Sequence, residues 1–152
     1  MPCKLNRAVC LLFAAAAFLW SSANAQSPTD NAATPTADAA DVIAIYSDSY
    51  TSIGTSFDPS WGQSGHTQVN PTFDPGTGDL VLAYPNFNYQ GTEMPATDAS
   101  GKAFLHVDVW VAEGTDRLLK VTPVNNGAGG TGTSEFLVNV PLTPGSWNSV
   151  DL

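Results

Sequence analysis

The segment at residues 103–112 constrains the fold more than any other part of this sequence. Successive side chains of a β-strand point to opposite faces. One face of such a strand would carry the aliphatic residues Leu105, Val107, Val109 and Val111. The other would carry Phe104, His106, Asp108 and Trp110. An apolar face backed by a polar one is typical of an antiparallel strand with one side on a core.

The rest of the chain supports the same fold class. Helical periodicity is hard to find, and short apolar runs alternate with Gly, Pro, Asn and Asp. We expect an all-β domain with strands at residues 42–47, 79–84, 103–112, 117–124, 135–140 and 147–152. Residues 70–78 and 125–133 are rich in turn residues, and the second is a Gly-Thr tract suited to a long hairpin loop.

The first 25 residues have the pattern of a secretory signal peptide. Two basic residues precede an apolar run at 8–20, and small residues follow up to Ala25. The run is shorter than the roughly 20 apolar residues of a membrane helix, and no later segment approaches that length. We expect cleavage after Ala25 and a secreted chain, extracellular or periplasmic, with no membrane contact. Cys3 and Cys10 would leave with the signal.

The remaining chain divides into two parts. Residues 26–40 consist of small and polar residues, and we expect a flexible linker there because such a segment buries little apolar surface. Residues 41–152 are long enough for one small domain with one core.

The charge narrows the class of partner. Once the signal is removed, Lys102, Arg117 and Lys120 oppose fourteen acidic residues, which gives a net charge of −11. Such a chain repels phosphate, so we expect no nucleic acid partner. A neutral polysaccharide is neither attracted nor repelled by this charge. The alternative is that the acidic residues only keep the protein soluble.

The sequence offers the side chains that sugar recognition requires. Sugar rings stack on flat aromatic faces and bond to planar polar groups. Our candidate ligand-binding residues are Trp61, Tyr89, Gln90, His106, Asp108 and Trp110. Each has a structural alternative, since tryptophan also packs in small cores and glutamine also bonds loop backbone.

Metal and catalytic roles have weaker support. His106 and Asp108 share a strand face and could form a metal or acid/base pair, but zinc needs a third ligand and His66 lies in a loop. Calcium suits the many oxygen donors, and Asp48 and Asp151 would supply ligands if the two terminal strands paired. Exposed aspartates that cap strand ends are the alternative. No Gly-x-Ser-x-Gly or His-Glu-x-x-His motif is present, so we expect no enzyme.

Four segments together resemble a known kind of module. Residues 42–50, 57–63, 84–93 and 105–110 are similar in order and spacing to carbohydrate-binding modules of secreted bacterial polysaccharide hydrolases, laminarinase-like and other β-glucan or marine-glycan enzymes. The resemblance implies a jelly-roll β-sandwich of the galactose-binding-like kind, often calcium-stabilised, that binds a neutral, β-glucan-like polysaccharide.

The chain departs from that resemblance at its C-terminus. Such modules continue past the segment that resembles residues 147–152, whereas this chain stops at Leu152. We therefore expect a domain that lacks its last strand and has an open sheet edge. The alternative function is a structural or adhesive subunit that self-associates through this edge into a filament or matrix.

Overall fold

The computed structural model describes residues 26–61, 68–85, 87–114, 118–121, 123–125, 134–135 and 138–152. The regular secondary structure of this part is almost all β-strand with very little helix, which agrees with the predicted all-β class. The strands are β1 Asn70–Phe73, β2 Val81–Ala83, β3 His106–Trp110, β4 Leu118–Val121, β5 Val124–Asn125, β6 Ser134–Glu135, β7 Val138–Pro141 and β8 Trp147–Asp151. One 3-10 turn covers Ala39–Asp41. The predicted signal peptide lies outside the described residues.

The second half of the chain folds back on itself. β3 pairs with β8, β4 with β7 and β5 with β6, all antiparallel. Leu118 lies opposite Pro141 and Asn125 opposite Ser134, so these two residue pairs are seven positions apart along both chain segments. The β4–β7 and β5–β6 pairs therefore share one register. The predicted hairpin loop covers residues 125–133; its first residue, Asn125, ends β5, and residues 126–133, which connect β5 to β6, lie outside the described residues.

The pairing of β3 with β8 fixes which side chains meet. Leu105 and Leu152, which flank the two strands, exchange both backbone hydrogen bonds at 2.8 and 2.9 Å. Because bonded and non-bonded pairs alternate in an antiparallel ladder, the next pair, His106 and Asp151, is non-hydrogen-bonded. The side chains of a non-hydrogen-bonded pair lie closer together than those of a hydrogen-bonded pair. We call β3 and β8 together the ribbon.

A turn organised by Asn148 leads into β8. Its Oδ1 accepts from the backbone N–H of Thr143 at 2.7 Å, and its Nδ2 donates to carbonyls of Val109, Thr143 and Ser146. Gly145 has a φ of 71°, a conformation that favours glycine, and its N–H donates to the Val111 carbonyl. One side chain thus joins the turn to β3.

Three aliphatic residues of the described part, Ala44, Val140 and Leu142, are buried, each at most 6% exposed. Val107 and Val109 of the predicted apolar face are half-buried. Each sheet in this part has two strands. No helix among the described residues is long and apolar enough to cross a membrane.

Three predicted elements differ from the structure. Residues 42–47 form no strand, only a bridge from Ala44 to Ser52, because the Ser47 hydroxyl accepts the N–H groups of Ser49 and Tyr50 and turns the chain. β1 occupies part of the segment predicted as a turn. Pro123, which has no N–H to donate, lies between β4 and β5 within the predicted strand 117–124.

Candidate functional site

One face of the ribbon carries three cross-strand pairs. They are His106 with Asp151, Asp108 with Ser149 and Trp110 with Trp147. Because residues two apart on a strand share a face, all six side chains lie on the same side of the ribbon. We call these six residues the ribbon face. It places an aromatic pair at one end and a polar group at the other.

His106 is held between carboxylates from both strands. Its Nδ1 lies 2.6 Å from Oδ1 of Asp151, and its Nε2 lies 3.5 Å from Oδ2 of Asp108. The Ser149 Oγ is also 3.5 Å from Nε2. The hydrogen bond to Asp151 raises the pKa of His106, and Asp108 adds to the effect, although desolvation opposes it. The predicted His106–Asp108 pair therefore exists as part of a larger polar group.

The two tryptophans of the ribbon face are half-buried. Trp147 Nε1 donates to the carbonyl of Asp30 at 2.8 Å. The side chain of Gln26 accepts the Glu113 N–H at 2.7 Å, and Pro28 between these two residues is buried. Residues 26–30 therefore pack beside the tryptophan end of the ribbon. That residues 26–40 are a linker stays a prediction.

A second group of predicted residues lies between two loops. Trp61 is 59% exposed, and its Nε1 donates to Oε2 of Glu93 at 3.1 Å. Its ring lies against Gly91, where no space remains for a side chain. Backbone hydrogen bonds in both directions between Ser56 and Glu93 join the two loops. This arrangement presents an indole ring at the surface.

Gln90 connects the same loops from within. Its Nε2 donates to the carbonyls of Phe57 and Gly91 and to Oδ1 of Asp58, at 3.1 to 3.3 Å. Its Oε1 is buried and has no hydrogen-bond partner among the described residues. The neighbouring Tyr89 is 46% exposed. We call Trp61, Tyr89, Gln90, Gly91 and Glu93 the loop cluster.

The two predicted calcium ligands have separate partners. Asp151 contacts His106, and β8 pairs with β3 rather than with residues 42–47, so the terminal pairing assumed for a calcium site does not form. Asp48 lies near Asp79, whose pKa is raised first by burial and then by the Asp48 carboxylate. The described residues contain no group of three or more acidic, histidine or cysteine side chains that could hold a metal ion. His66 lies outside them.

Sequence reasoning missed Trp147, Ser149 and Asp151 as members of one face. Their alternation in the last strand matches that of His106, Asp108 and Trp110 and was a usable signal. The register that joins the two sets was absent from the linear pattern. Comparison of the chain with protein-family models, curated proteins and solved structures gives no match.

Proposed function

We propose that this protein binds a neutral polysaccharide through the ribbon face and the loop cluster. The single observation that carries the proposal is the ribbon face itself, where Trp110 and Trp147 oppose each other beside a set of polar side chains. Aromatic rings supply stacking surfaces for sugar C–H groups, and carboxylate, imidazole and hydroxyl groups bond to sugar hydroxyls.

The exposure of the loop cluster supports a second contact surface. Trp61 and Tyr89 are both well exposed, and the hydrogen bond to Glu93 fixes the orientation of the Trp61 ring. A ring that is already oriented loses less conformational entropy when a ligand binds. Each stacking contact is worth about 0.5–1.5 kcal/mol, so a few contacts give micromolar to millimolar affinity.

The nested strand pairs support a fold of the jelly-roll kind. A jelly roll contains antiparallel pairs that are nested in sequence, as β3–β8, β4–β7 and β5–β6 are. We propose that these pairs belong to such a β-sandwich, in agreement with the resemblance to carbohydrate-binding modules. Export, the acidic net charge and polysaccharide binding are mutually compatible.

The test is affinity electrophoresis of residues 26–152 through gels that contain laminarin, xylan, agarose or mixed-linkage glucan. We expect retardation by at least one polymer, and weaker retardation of the Trp61→Ala, Trp110→Ala and Trp147→Ala variants. Leu80→Ala, which removes a half-exposed apolar side chain outside both surfaces, is the control. Parallel gels with calcium or chelator test the calcium prediction. A folded chain that migrates freely in every gel would contradict binding.

A second candidate function is assembly through open sheet edges. In the described part every sheet has two strands, so each strand has one side without a partner strand. Such edges accept an added strand from another chain. Size-exclusion chromatography and negative-stain microscopy at high concentration test this candidate. Fibres or concentration-dependent oligomers would support it, and a monomer without fibres would exclude it.

A further inference from the structure

The ribbon brings a serine, a histidine and an aspartate into contact in a defined order. Asp151 Oδ1 lies 2.6 Å from Nδ1 of His106, and Ser149 Oγ lies 3.5 Å from Nε2 of the same ring. We propose that Ser149, His106 and Asp151 form a hydrolytic site for carboxylic esters. Ser149 is the nucleophile, His106 the general base and acid, and Asp151 orients the imidazole.

Nucleophilic ester hydrolysis needs the order of contacts seen here, from aspartate to histidine to serine. A carboxylate at one ring nitrogen fixes the tautomer and leaves the other nitrogen free to take a proton from the serine hydroxyl. The 3.5 Å separation of Ser149 and His106 is longer than a reactive hydrogen bond, as is common in sites without substrate. Asp108 Oδ2, also 3.5 Å from Nε2, shares that nitrogen with Ser149.

Strand pairing explains why no catalytic sequence motif indicates this site. His106 lies opposite Asp151, and Ser149 lies opposite Asp108 two residue pairs further along the ladder, so the register alone brings the three together on one face. Such sets recur on unrelated folds and in different chain orders. All three side chains are accessible: His106 and Asp151 are 43% and 60% exposed, and Ser149 is exposed. A substrate can therefore reach the hydroxyl.

The backbone N–H of Ser149 can act as a hydrogen-bond donor to the ester carbonyl oxygen, which becomes negatively charged when the serine attacks. Because Leu105 and Leu152 form a hydrogen-bonded pair, alternation directs the N–H of Ser149 away from β3. That N–H can donate to the carbonyl oxygen of an ester attacked by the Ser149 hydroxyl.

The reaction balances without a cofactor. Ser149 Oγ attacks the ester carbonyl and its proton passes to His106 Nε2. The alcohol leaves with that proton, and an acyl-serine remains. Water then attacks the acyl-serine, gives one proton to His106, and releases the carboxylic acid as the proton returns to Ser149.

The natural substrate class rests on the proposed function. If the ribbon face binds polysaccharide, the scissile ester joins a small acyl group, such as acetyl, to a sugar hydroxyl. Trp110 and Trp147 lie on the same face, two residue pairs along the ladder from Asp108 and Ser149. They would hold the sugar ring while the acyl group lies at Ser149.

The experiment uses p-nitrophenyl acetate and a fluorophosphonate probe, neither of which requires polysaccharide binding. We expect wild type to hydrolyse the ester and to be labelled at Ser149, as located by peptide mass spectrometry. Ser149→Ala and His106→Ala should each lower hydrolysis at least about tenfold. Ser60→Ala, at an exposed serine outside the ribbon, is the control and should match wild type. Unchanged circular dichroism would establish that the variants are folded.

Three results would overturn the proposal. Hydrolysis that persists in Ser149→Ala but is lost in His106→Ala would identify simple imidazole catalysis without a serine nucleophile. Labelling elsewhere, or no hydrolysis above the Ser149→Ala background, would exclude the site. Retention on polysaccharide gels is measured separately, so ester hydrolysis without retention would contradict the proposed function alone.

Discussion

The indole ring of Trp61 lies directly on the backbone of Gly91 and occupies the space that a side chain there would need. The Nε1 of the same ring donates a hydrogen bond to the side chain of Glu93, which lies two residues after Gly91 in the chain. Gly91 therefore sets the position of an exposed aromatic surface without itself presenting one.

We predict that Gly91→Ala moves the Trp61 ring and weakens polysaccharide retention. The added methyl group overlaps the ring, and an exposed ring can swing outward more easily than the backbone can shift. Tryptophan fluorescence would report the movement, and affinity electrophoresis would report the loss.

The matched control is Gly101→Ala, since Gly101 has open space around the position of the added carbon. It should leave fluorescence and retention unchanged. Equal retention of Gly91→Ala and wild type would show that the orientation of Trp61 does not contribute to binding.

We predict that Asn148→Ala destabilises the protein by about 1–3 kcal/mol, because it leaves several backbone groups of the turn before β8 without partners. Urea denaturation would measure the loss. Asn139→Ala, at an exposed position of β7, should change stability by less than about 0.5 kcal/mol. Equal stabilities for both variants would mean that Asn148 does not organise the turn.

The ribbon illustrates how far the sequence could predict the site. Alternation in residues 103–112 placed His106, Asp108 and Trp110 on one face, and the structure has them there. Asp151 is 45 residues away from His106, and no local propensity encodes that contact. Register depends on long-range pairing, which a single strand's pattern does not contain.

The loops were less predictable for a different reason. Trp61 and Gln90 were identified by residue type, but their orientation follows from contacts across 32 residues or more, to Glu93, Asp58 and Phe57. Likewise, residues 42–47 have strand-forming side chains, yet the Ser47 hydroxyl bonds local backbone and a turn follows. Side-chain bonds to backbone override propensity in such segments.

We predict that stability depends on pH through His106. Its pKa is raised in the folded state by Asp151 and Asp108, the two charged groups of the ribbon that face it. The contribution of His106 to the free energy of unfolding is therefore complete below its pKa in the unfolded chain, about 6.5. It is lost as the pH rises through its pKa in the folded protein. Because His106 and Asp151 are largely exposed, it should not exceed about 1 kcal/mol.

Urea midpoints of wild type and His106→Gln at pH 5.5 and 8.5 would measure this contribution. We expect the advantage of wild type to be larger at pH 5.5. A difference in urea midpoint between wild type and His106→Gln that is the same at both pH values, or larger at pH 8.5, would contradict the prediction.

The hydrogen bond from Trp147 to Asp30 leads to the last prediction. Trp147→Phe keeps an aromatic ring on the ribbon face but removes the Nε1 donor. We expect backbone amides of residues 26–33 to exchange with deuterium about fivefold faster, since such a bond contributes about 1 kcal/mol. Tyr50→Phe, which removes the bond to the Ala37 carbonyl, should accelerate exchange around residue 37 instead.

The control is Tyr46→Phe, which removes a comparable bond to the Pro71 carbonyl elsewhere in the chain. It should leave exchange of residues 26–37 unchanged. If Trp147→Phe also leaves it unchanged, residues 26–30 are not held by this bond and behave as the predicted flexible linker. If exchange accelerates and polysaccharide retention increases as well, the segment competes with the ligand for the Trp110–Trp147 end of the ribbon face.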